Sequence, residues 1–388
     1  MKILNVVLNN FLNDSRVLKE SQSLNKAGHT VTVVALHENG LLEKEIIQGI
    51  AVRRIKLKTK QWPTWRFVQL IKYFEFVIRV CCKYSNNDVI HCNDLNALPI
   101  GCLIKFFNRQ ACIVYDAHEF EIDCTPDESP LAKKIKYLIE KSLIRYADKV
   151  ITVSDSIANE YVKLYNIEKP SLVLNCPEYI ASQPISNILR DKFDLNEEDR
   201  IFIYQGALTK GRGIELLINV FSGLECSKAK LVFMGYGALE DDVNSACIAS
   251  ENIYYMPAVP PSEVLKYTAS ADVGISMIEA KCKSYEFCLP NKMFEYIMAG
   301  IPVLASDLPE MQSIINKYKV GKVIKDGCEQ SLVDAVLEFS EERFLRYGDG
   351  IEHARNTFNW GNQEIKLLDV YSSFYNKFDI KNQKASND

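Results

Sequence analysis

Short apolar runs alternate along the chain with longer segments in which apolar residues recur at helical spacing. The run KILNVVL opens the chain, and a polar loop, a helix that ends at Gly28 and the run TVTVVAL follow it. Continuous apolar runs bounded by turn residues are typical of strands that a parallel sheet buries on both faces. A strand, helix and strand in this order imply right-handed crossovers, so the pattern predicts an α/β fold.

The alternation has two halves with an irregular stretch between them. Residues 1–174 complete one doubly wound sheet, whereas residues 175–199 hold two prolines without clear periodicity and are predicted to be a connector. The alternation restarts over residues 200–361. Because 388 residues exceed what one core usually supports, we expect two Rossmann-like parallel-sheet domains with the ligand in the cleft between them. A last helix over residues 362–378 is expected to cross back to the first domain.

The stretch LPNKMFEYIMAGIPVLASDLPEM predicts a helix, a tight turn and a buried strand. Pro290 suits the first helical position, and Gly300 suits the left-handed residue that ends a helix. Asn291, Lys292 and Glu295 lie off the apolar face, so packing does not explain them. A helix N-terminus favours anions, and a lysine in the first turn opposes the helix dipole unless an anion is bound nearby. The alternative is a solvated Lys292 paired with Glu295.

A second polar cluster follows the predicted strand IFIYQG, in the loop ALTKGRG. Gly206 ends the strand, and Lys210, Arg212 and Gly213 lead into the next helix. Glycines allow close backbone approach, and cations at a helix start can neutralise a diphosphate. The alternative is a glycine-rich turn with solvated charges. Because both polar stretches follow strands of one predicted sheet, we expect them to converge on one anion site.

The composition, 47% hydrophobic and 25% charged, is typical of soluble globular proteins. No segment approaches the roughly eighteen apolar residues of a membrane span. The twelve cysteines form no Cys-x-x-Cys pair and no Cys/His cluster at zinc spacing, so we expect reduced thiols, a cytoplasmic protein and no metal site. Only the terminal KNQKASND is expected to be disordered.

The charge is unevenly distributed. The net charge is −4, yet residues 53–84 carry nine Lys and Arg against one Glu, interleaved with aromatic residues. A basic stretch followed by an aromatic amphipathic helix is typical of an element that lies on anionic lipid. The alternative is a core helix preceded by a basic edge strand. The domain as a whole is not basic, which argues against nucleic acid as a partner.

The order and spacing of these motifs resemble the GT-B glycosyltransferases, most closely the retaining family 4 enzymes. The resemblance runs over most of the chain and includes a Gly-His-x-Val element at Gly28 to Val31, HCNDLNALP, YDAHEF, VITVSDSI, QGALTKGRG, LVFMGYG, NKMFEYIMAGIPVLAS and a late aromatic-rich helix. In that family the loop after the first strand of the second domain places an Arg and a Lys on the donor diphosphate. Here Gly206 and Gly213 align, Arg212 takes the place of the Lys, and Ala207 that of the Arg. Lys292 is the candidate for the missing cation.

The family also has two glutamates separated by seven residues. The resemblance implies that Glu295 is the second of them, which binds the donor ribose as a two-oxygen acceptor. Phe287 stands in the place of the first, with Glu286 one residue away. We therefore expect Glu286 or Asn291 to take part in binding the donor sugar.

In the first domain His118 matches the histidine that lies beside the donor sugar at the reaction centre; the alternative is a packed or capping histidine. His91 and Asp94 follow the neighbouring strand and are expected to shape the acceptor pocket. The loop NNFLNDSR occupies the place of a Gly-Gly turn that faces phosphate in the family, and its Asn10, Asp14 and Arg16 are expected to bind the acceptor instead.

The resemblance thus implies a retaining hexosyltransferase that uses a UDP- or GDP-linked sugar, without a further cofactor and without metal. The expected acceptor is a hydroxyl of a lipid-linked glycan in surface polysaccharide biosynthesis, such as lipopolysaccharide or capsule, at the inner face of the plasma membrane. Two alternatives stay open. One is a nucleotide-sugar 2-epimerase of the same fold, and the other is a non-catalytic partner that binds nucleotide sugar or glycan.

Overall fold

The computed structural model describes residues 1–181, 186–224, 228–325, 327–341, 347–375 and 377–378. Its contacts divide the chain into two compact units, the first Met1–Val173 with Glu364–Asp388 and the second Leu174–Gln363. Each unit has its own sheet, so the predicted pair of parallel-sheet α/β domains is confirmed. The tail KNQKASND lies outside the described residues. Within the described part of the chain, no helix combines the length and hydropathy that crossing a bilayer requires.

The first unit contains an eight-stranded sheet. Its strands are β1 (Lys2–Val6), β2 (Thr30–Leu36), β3 (Lys44–Ile47), β4 (Ile50–Ile55), β5 (Val89–Asn93), β6 (Cys112–Ala117), β7 (Lys149–Thr152) and β8 (Ser171–Leu172). They lie in the order β3-β4-β2-β1-β5-β6-β7-β8, and every neighbouring pair is parallel except β3 with β4. The antiparallel hairpin was not predicted; its two-residue turn at Gln48 and Gly49 has positive φ at both positions.

Five helices connect the strands of the first unit: α1 (Ser15–Lys26), α2 (Arg66–Tyr84), α3 (Asp94–Phe107), α4 (Pro130–Leu143) and α5 (Asp155–Tyr165). The side chain of Asp14 accepts a hydrogen bond from the Val17 N–H and caps α1. The central strands are nearly all buried, as their continuous apolar runs predicted.

The second unit contains a six-stranded, all-parallel sheet. Its strands are β9 (Arg200–Ala207), β10 (Ala229–Tyr236), β11 (Ile253–Pro257), β12 (Val273–Ser276), β13 (Val303–Ser306) and β14 (Gly321–Ile324). They lie in the order β11-β10-β9-β12-β13-β14. The strand order therefore reverses between β9 and β12, and ligands of open α/β sheets bind beside the carboxyl ends of the strands at such a switch point.

Within the described residues, the helices of the second unit are α6 (Ile188–Phe193), α7 (Ile214–Gly223), α8 (Glu240–Ala249), α9 (Val264–Thr268), α10 (Lys283–Glu286), α11 (Asn291–Ala299), α12 (Pro309–Tyr318), α13 (Glu329–Ser340) and α14 (Gly348–Thr357). Helix α15 (Trp360–Ser372) follows, and from Glu364 onward it belongs to the first unit. This helix was predicted over residues 362–378, of which residue 376 is outside the described residues.

The predicted connector, residues 175–199, contains α6, which buries Leu189; six residues are too few for a helical period to be visible in the sequence. One expectation about local structure was wrong. Pro290 is the residue before α11 rather than its first helical residue. Its extended backbone (φ −71°, ψ 141°) lets it precede the helix, while Gly300 ends α11 in the predicted left-handed conformation.

Candidate functional site

The loop that follows β9 lies at the switch point of the second sheet. Gly206 and Ala207 are exposed at the end of the strand, and Gly213 precedes α7 with φ +69°. A Cβ at Gly213 would lie 2.6 Å from the Cβ of Met277, so the close approach requires glycine. No side chain caps the start of α7, and its first N–H groups therefore remain available to an anion.

Helix α11 begins at the same edge of this sheet, after β12. No side chain caps its start either. The Nζ atom of Lys292 is buried, makes no hydrogen bond and lies 3.7 Å from the ring centroid of Tyr204. Burial, together with the nearby charge of Arg212, lowers the pKa of Lys292 to about 7. The structure thus contradicts the solvated alternative for Lys292. A Cβ on Gly206 would lie 3.8 Å from this Nζ atom, which places the ammonium beside the exposed loop.

Arg212 also lies on an aromatic ring, with its guanidinium carbon 4.5 Å from the ring centroid of Tyr285. Two cations from different segments therefore lie near the two open helix starts, each over a tyrosine face that attracts cations. Lys210, in the same loop, is exposed. A cavity of about 320 Å³ adjoins the loop between Gly213 and Glu279.

Glu295 is held by the end of β9. The side-chain amide of Gln205 donates a hydrogen bond to the Glu295 carboxylate, and the hydroxyl of Thr268 lies 2.7 Å from the Gln205 carbonyl oxygen. Gln205 and Thr268 are both buried, so this chain of hydrogen bonds fixes the carboxylate near Lys292. Glu295 could be predicted from the sequence, whereas Gln205 and Thr268, which orient it, could not, because they are polar residues on elements distant in sequence.

Tyr296 positions α11 on the sheet. Its buried hydroxyl accepts from the Gln205 N–H and lies 3.0 Å from the Ile275 carbonyl and 3.2 Å from that of Ile203. One side chain thus ties α11 to both β9 and β12. The ring lies against Gly274, where a Cβ would come within 2.2 Å of it, so this contact also needs glycine.

The structure places the remaining donor candidates at the surface of the same region. Asn291 is exposed in the first turn of α11. Glu286 ends α10 and pairs with Lys283 at 2.7 Å. Phe287 lies under the same lysine, whose Nζ is 5.0 Å from the ring centroid. The second unit therefore brings together Gly206, Arg212, Gly213, Lys292 and Glu295, with Glu286 engaged by its own neighbour.

In the first unit, His118 follows β6 between two carboxylates. Its Nε2 atom lies 3.1 Å from Asp116, and its Nδ1 atom lies 3.5 Å from Asp94, whose carboxylate also accepts from the His118 N–H. Burial by itself would lower the pKa of His118, but Asp94 and Asp116 raise it to about 9. The His118 side chain is 21% exposed and that of Asp94 is 42% exposed, so a charged imidazolium faces solvent here.

Arg16 lies beneath this histidine rather than at the surface. Its guanidinium donates to both oxygens of Asp116 at 2.8 to 3.0 Å and to the Val173 carbonyl at 2.7 Å. Burial alone would raise the pKa of Asp116, but Arg16 and His118 hold it well below its usual range. The expectation that Arg16 binds acceptor is therefore corrected, since the side chain is buried and fully engaged.

His91 is also buried, with its Nδ1 atom 2.7 Å from the hydroxyl of Tyr371 in α15. Its Nε2 atom lies 3.5 Å from Asp116 and 3.6 Å from Glu20. The His91 side chain is therefore not exposed to an acceptor, and it belongs to the polar cluster under His118. Asn10, the other acceptor candidate, donates to Glu38 in the loop that follows β2.

Glu20, His91 and Asp116 place three potential metal-ligating atoms within 4.8 Å of one another, although no sequence spacing indicated such a group. The Arg16 guanidinium lies 3.1 Å from Glu20 and 2.8 Å from Asp116. Its positive charge already stands between the two carboxylates. Burial raises the pKa of Glu20 to about 7 in spite of Arg16.

Comparison with known proteins follows the same division of the chain. The family model described as Glycosyltransferase Family 4 matches residues 15–176, and the one described as Glycosyl transferases group 1 matches residues 186–357. The chain is a GT-B glycosyltransferase of the family 4 type. The suspected resemblance is therefore confirmed, and the two matches together support a hexosyltransferase enzyme.

Two curated mannosyltransferases are distant relatives of this glycosyltransferase. The chitobiosyldiphosphodolichol beta-mannosyltransferase of Candida albicans is 22% identical over 312 residues, which make up 70% of this chain and 66% of that protein. The phosphatidyl-myo-inositol mannosyltransferase of Mycobacterium leprae is 25% identical over 175 residues, or 42% of this chain and 43% of that protein. The chain thus spans less than two thirds of the length of each relative.

Solved structures confirm the fold. Sucrose-phosphate synthase from Thermosynechococcus elongatus has a TM-score of 0.78 at 16% identity, covering 97% of this chain and 99% of that one. HepE of Anabaena in complex with UDP-glucose has a TM-score of 0.74 at 16% identity, covering 96% and 100%. WaaG, a glycosyltransferase involved in lipopolysaccharide biosynthesis, has a TM-score of 0.68 at 14% identity, covering 95% and 99%.

Proposed function

We propose that this glycosyltransferase moves a sugar from a nucleotide-diphosphate donor to a hydroxyl acceptor with retention of configuration. The observation that carries the proposal is the buried Lys292 ammonium, which makes no hydrogen bond and lies beside the exposed Gly206 loop. A buried amine without a hydrogen-bond partner is costly unless a ligand supplies one. A donor diphosphate would supply it and would also engage Arg212 and the open starts of α7 and α11.

The leaving group of such a reaction is a nucleoside diphosphate, so the main catalytic task is to stabilise phosphate charge as the sugar bond breaks. Arg212, Lys292 and the two helix starts supply positive charge or N–H groups at one edge of the sheet. Gly206, Gly213, Lys210, Asn291 and Glu295 are proposed to complete the donor site, with Glu295 on the ribose. HepE, which has the same fold, has been solved with UDP and with UDP-glucose, which supports a nucleotide-sugar donor; UDP- and GDP-linked sugars are both candidates.

His118 is proposed to act at the reaction centre as a charged hydrogen-bond donor. Its imidazolium lies between two carboxylates that keep it protonated below about pH 9, so it would serve as a donor rather than as a general base near neutral pH. In a retaining transfer of the family type, no protein nucleophile is required. We also propose that the reaction is independent of metal, because protein cations neutralise the diphosphate; EDTA is then expected to leave the rate unchanged.

A lipid-linked acceptor is proposed from two observations. The names of both curated relatives contain a lipid, dolichol in one and phosphatidylinositol in the other. Helix α2, within the basic residues 53–84, exposes Phe67, Leu70, Phe74 and Ile78 on one side. We propose that this segment contacts the inner face of the plasma membrane and that the product enters a surface polysaccharide.

The test is a transfer assay with UDP- and GDP-sugars and with membrane lipid extract as acceptor. We expect transfer by the wild type and its loss in Arg212→Ala and Glu295→Ala, whereas Lys317→Met, an exposed lysine over Tyr318, is the control. Turnover of donor without acceptor would instead favour a 2-epimerase. Binding of nucleotide sugar without any turnover would favour a non-catalytic partner.

A further inference from the structure

A second set of large apolar side chains is exposed in the first unit, outside the segment that sequence analysis singled out. At the end of α3, Phe106 and Phe107 are 73% and 72% exposed, and Leu103 is exposed beside them. Leu131, Ile135 and Leu138 are exposed on α4 at spacings of four and three residues, which places them on one side of the helix. Since an aromatic side chain has about 200 Å² of surface, the two phenylalanines alone present roughly 300 Å².

These side chains adjoin the exposed side of α2. Helix α2 connects β4 to β5, α3 connects β5 to β6, and α4 connects β6 to β7. All three connections advance in the same direction across the sheet. Right-handed crossovers therefore place the three helices on one face. Helix α3 packs against both others, and the Tyr73 hydroxyl of α2 donates to the Asn96 carbonyl of α3. The three helices thus form one layer.

The exposed charges on this layer are almost all of one sign. Apart from Asp94, which starts α3 and lies beside His118, the exposed charged residues on α2, α3 and α4 are basic, namely Arg66, Lys83, Lys134 and Lys141. The other two acidic residues of these helices turn inward. On α4, Glu140 is buried and accepts hydrogen bonds from three tyrosine hydroxyls, and on α2, Glu75 accepts from Thr59. An apolar face fringed by cations matches the headgroups and upper acyl chains of an anionic bilayer.

We propose that α3 and α4 extend the exposed side of α2 into a single docking face for an anionic lipid bilayer. The apolar side chains enter the headgroup region, and Lys134 and Lys141 pair with lipid phosphate. The face extends the membrane contact assigned to residues 53–84 under the proposed function, although its binding to lipid needs no glycosyl transfer. A larger exposed apolar surface than most monomers carry is typical of such contact sites.

The experiment is vesicle flotation of the full chain at low salt, with phosphatidylcholine vesicles that contain about one third phosphatidylglycerol or none. We expect binding only to the anionic vesicles. The double variants Phe106→Ser with Phe107→Ser and Ile135→Ser with Leu138→Ser are expected to lower the partition coefficient at least tenfold. Lys134→Glu with Lys141→Glu is expected to lower it by more than tenfold, since each basic residue contributes about fivefold.

The matched control replaces two exposed apolar residues of the second unit, Ile248→Ser with Leu337→Ser, and is expected to bind vesicles like the wild type. All variants change exposed residues, so their melting temperatures and their nucleotide-sugar affinities are expected to stay at wild-type values; this separates the lipid face from the donor site. Wild-type partitioning of the α3 and α4 variants would overturn the proposal. So would a lack of lipid binding by the wild type, or a switch from dimer to monomer in Phe106→Ser with Phe107→Ser, which would assign the face to a second copy.

Discussion

Donor binding is expected to draw one proton onto Lys292. The Lys292 ammonium lies over Tyr204 without a hydrogen bond, and its burial, together with the nearby charge of Arg212, lowers its pKa from 10.5 to about 7. A shift of this size corresponds to roughly 5 kcal/mol against the charged form. A bound diphosphate would reverse the shift, because opposite charge and hydrogen bonds favour the ammonium.

The number of protons taken up on binding follows from this pKa of Lys292. At pH 8 roughly one tenth of the free Lys292 is protonated, so binding would take up about 0.9 proton; at pH 6 it would take up about 0.1. The apparent dissociation constant should therefore rise about tenfold between pH 6 and pH 8. The diphosphate of a nucleotide sugar has no ionisation in this range, and His118, with its pKa raised to about 9, remains largely charged throughout.

The assay is isothermal titration with UDP-glucose and GDP-mannose at pH 6 and pH 8, each in two buffers with different ionisation enthalpies. The dependence of the observed enthalpy on the buffer gives the number of protons taken up. Lys292→Met is expected to abolish the uptake at pH 8, and Lys317→Met to leave it unchanged. No uptake by the wild type at pH 8, or equal uptake in Lys292→Met, would show that Lys292 does not gain a proton when the donor binds.

The remaining predictions concern the residues that hold the two clusters. Gly213→Ala should lower the free energy of unfolding by about 1–3 kcal/mol, measured by urea titration, because the left-handed backbone and Met277 both oppose a Cβ; an unchanged midpoint at unchanged slope would contradict this. Thr268→Val should weaken donor binding by about tenfold, since Gln205 then loses the partner that orients it, and wild-type affinity would show that this contact is dispensable. The transfer rate of the wild type should fall above about pH 9, where His118 loses its proton. The rate of His118→Gln should not show this fall. The raised pKa of His118 also stabilises the fold below its unfolded pKa near 6.5, and this stability should disappear as the pH rises through about 9; a flat stability profile would argue against the ion pairs.

The sequence predicted the architecture because parallel strands buried on both faces leave continuous apolar runs. The sequence predicted less well those parts of the structure in which burial leaves no regular spacing of apolar residues. The β3–β4 hairpin mixes charged and apolar residues, and α6 is too short to show a period. Arg16 and His91 were expected near the acceptor because of their places after the first strand and at a neighbouring strand end, yet they form a buried cluster that is joined through residues far apart in sequence.

The same limit applied to the candidate donor site. Arg212 could be identified because it lies just before a helix, and Lys292 because it lies in the first turn of a helix. Glu295 could be identified because it lies off the apolar face of its helix. The aromatic rings under both cations could not, because Tyr204 and Tyr285 read as ordinary strand and loop residues. Nor could the hydrogen bonds from Gln205 to Glu295 and from Thr268 to Gln205, since nothing in the local sequence shows which buried polar groups will meet.

Lys292 is proposed to supply the phosphate cation that is missing at Ala207. The most direct measurement is the nucleotide-sugar affinity of Lys292→Met alone and combined with Ala207→Arg, whose site is exposed at the end of β9. Loss of a charge-assisted contact in Lys292→Met should weaken binding about 10- to 100-fold, and adding Ala207→Arg should recover most of that loss. Wild-type affinity in Lys292→Met, or no recovery in the double variant, would contradict the compensation.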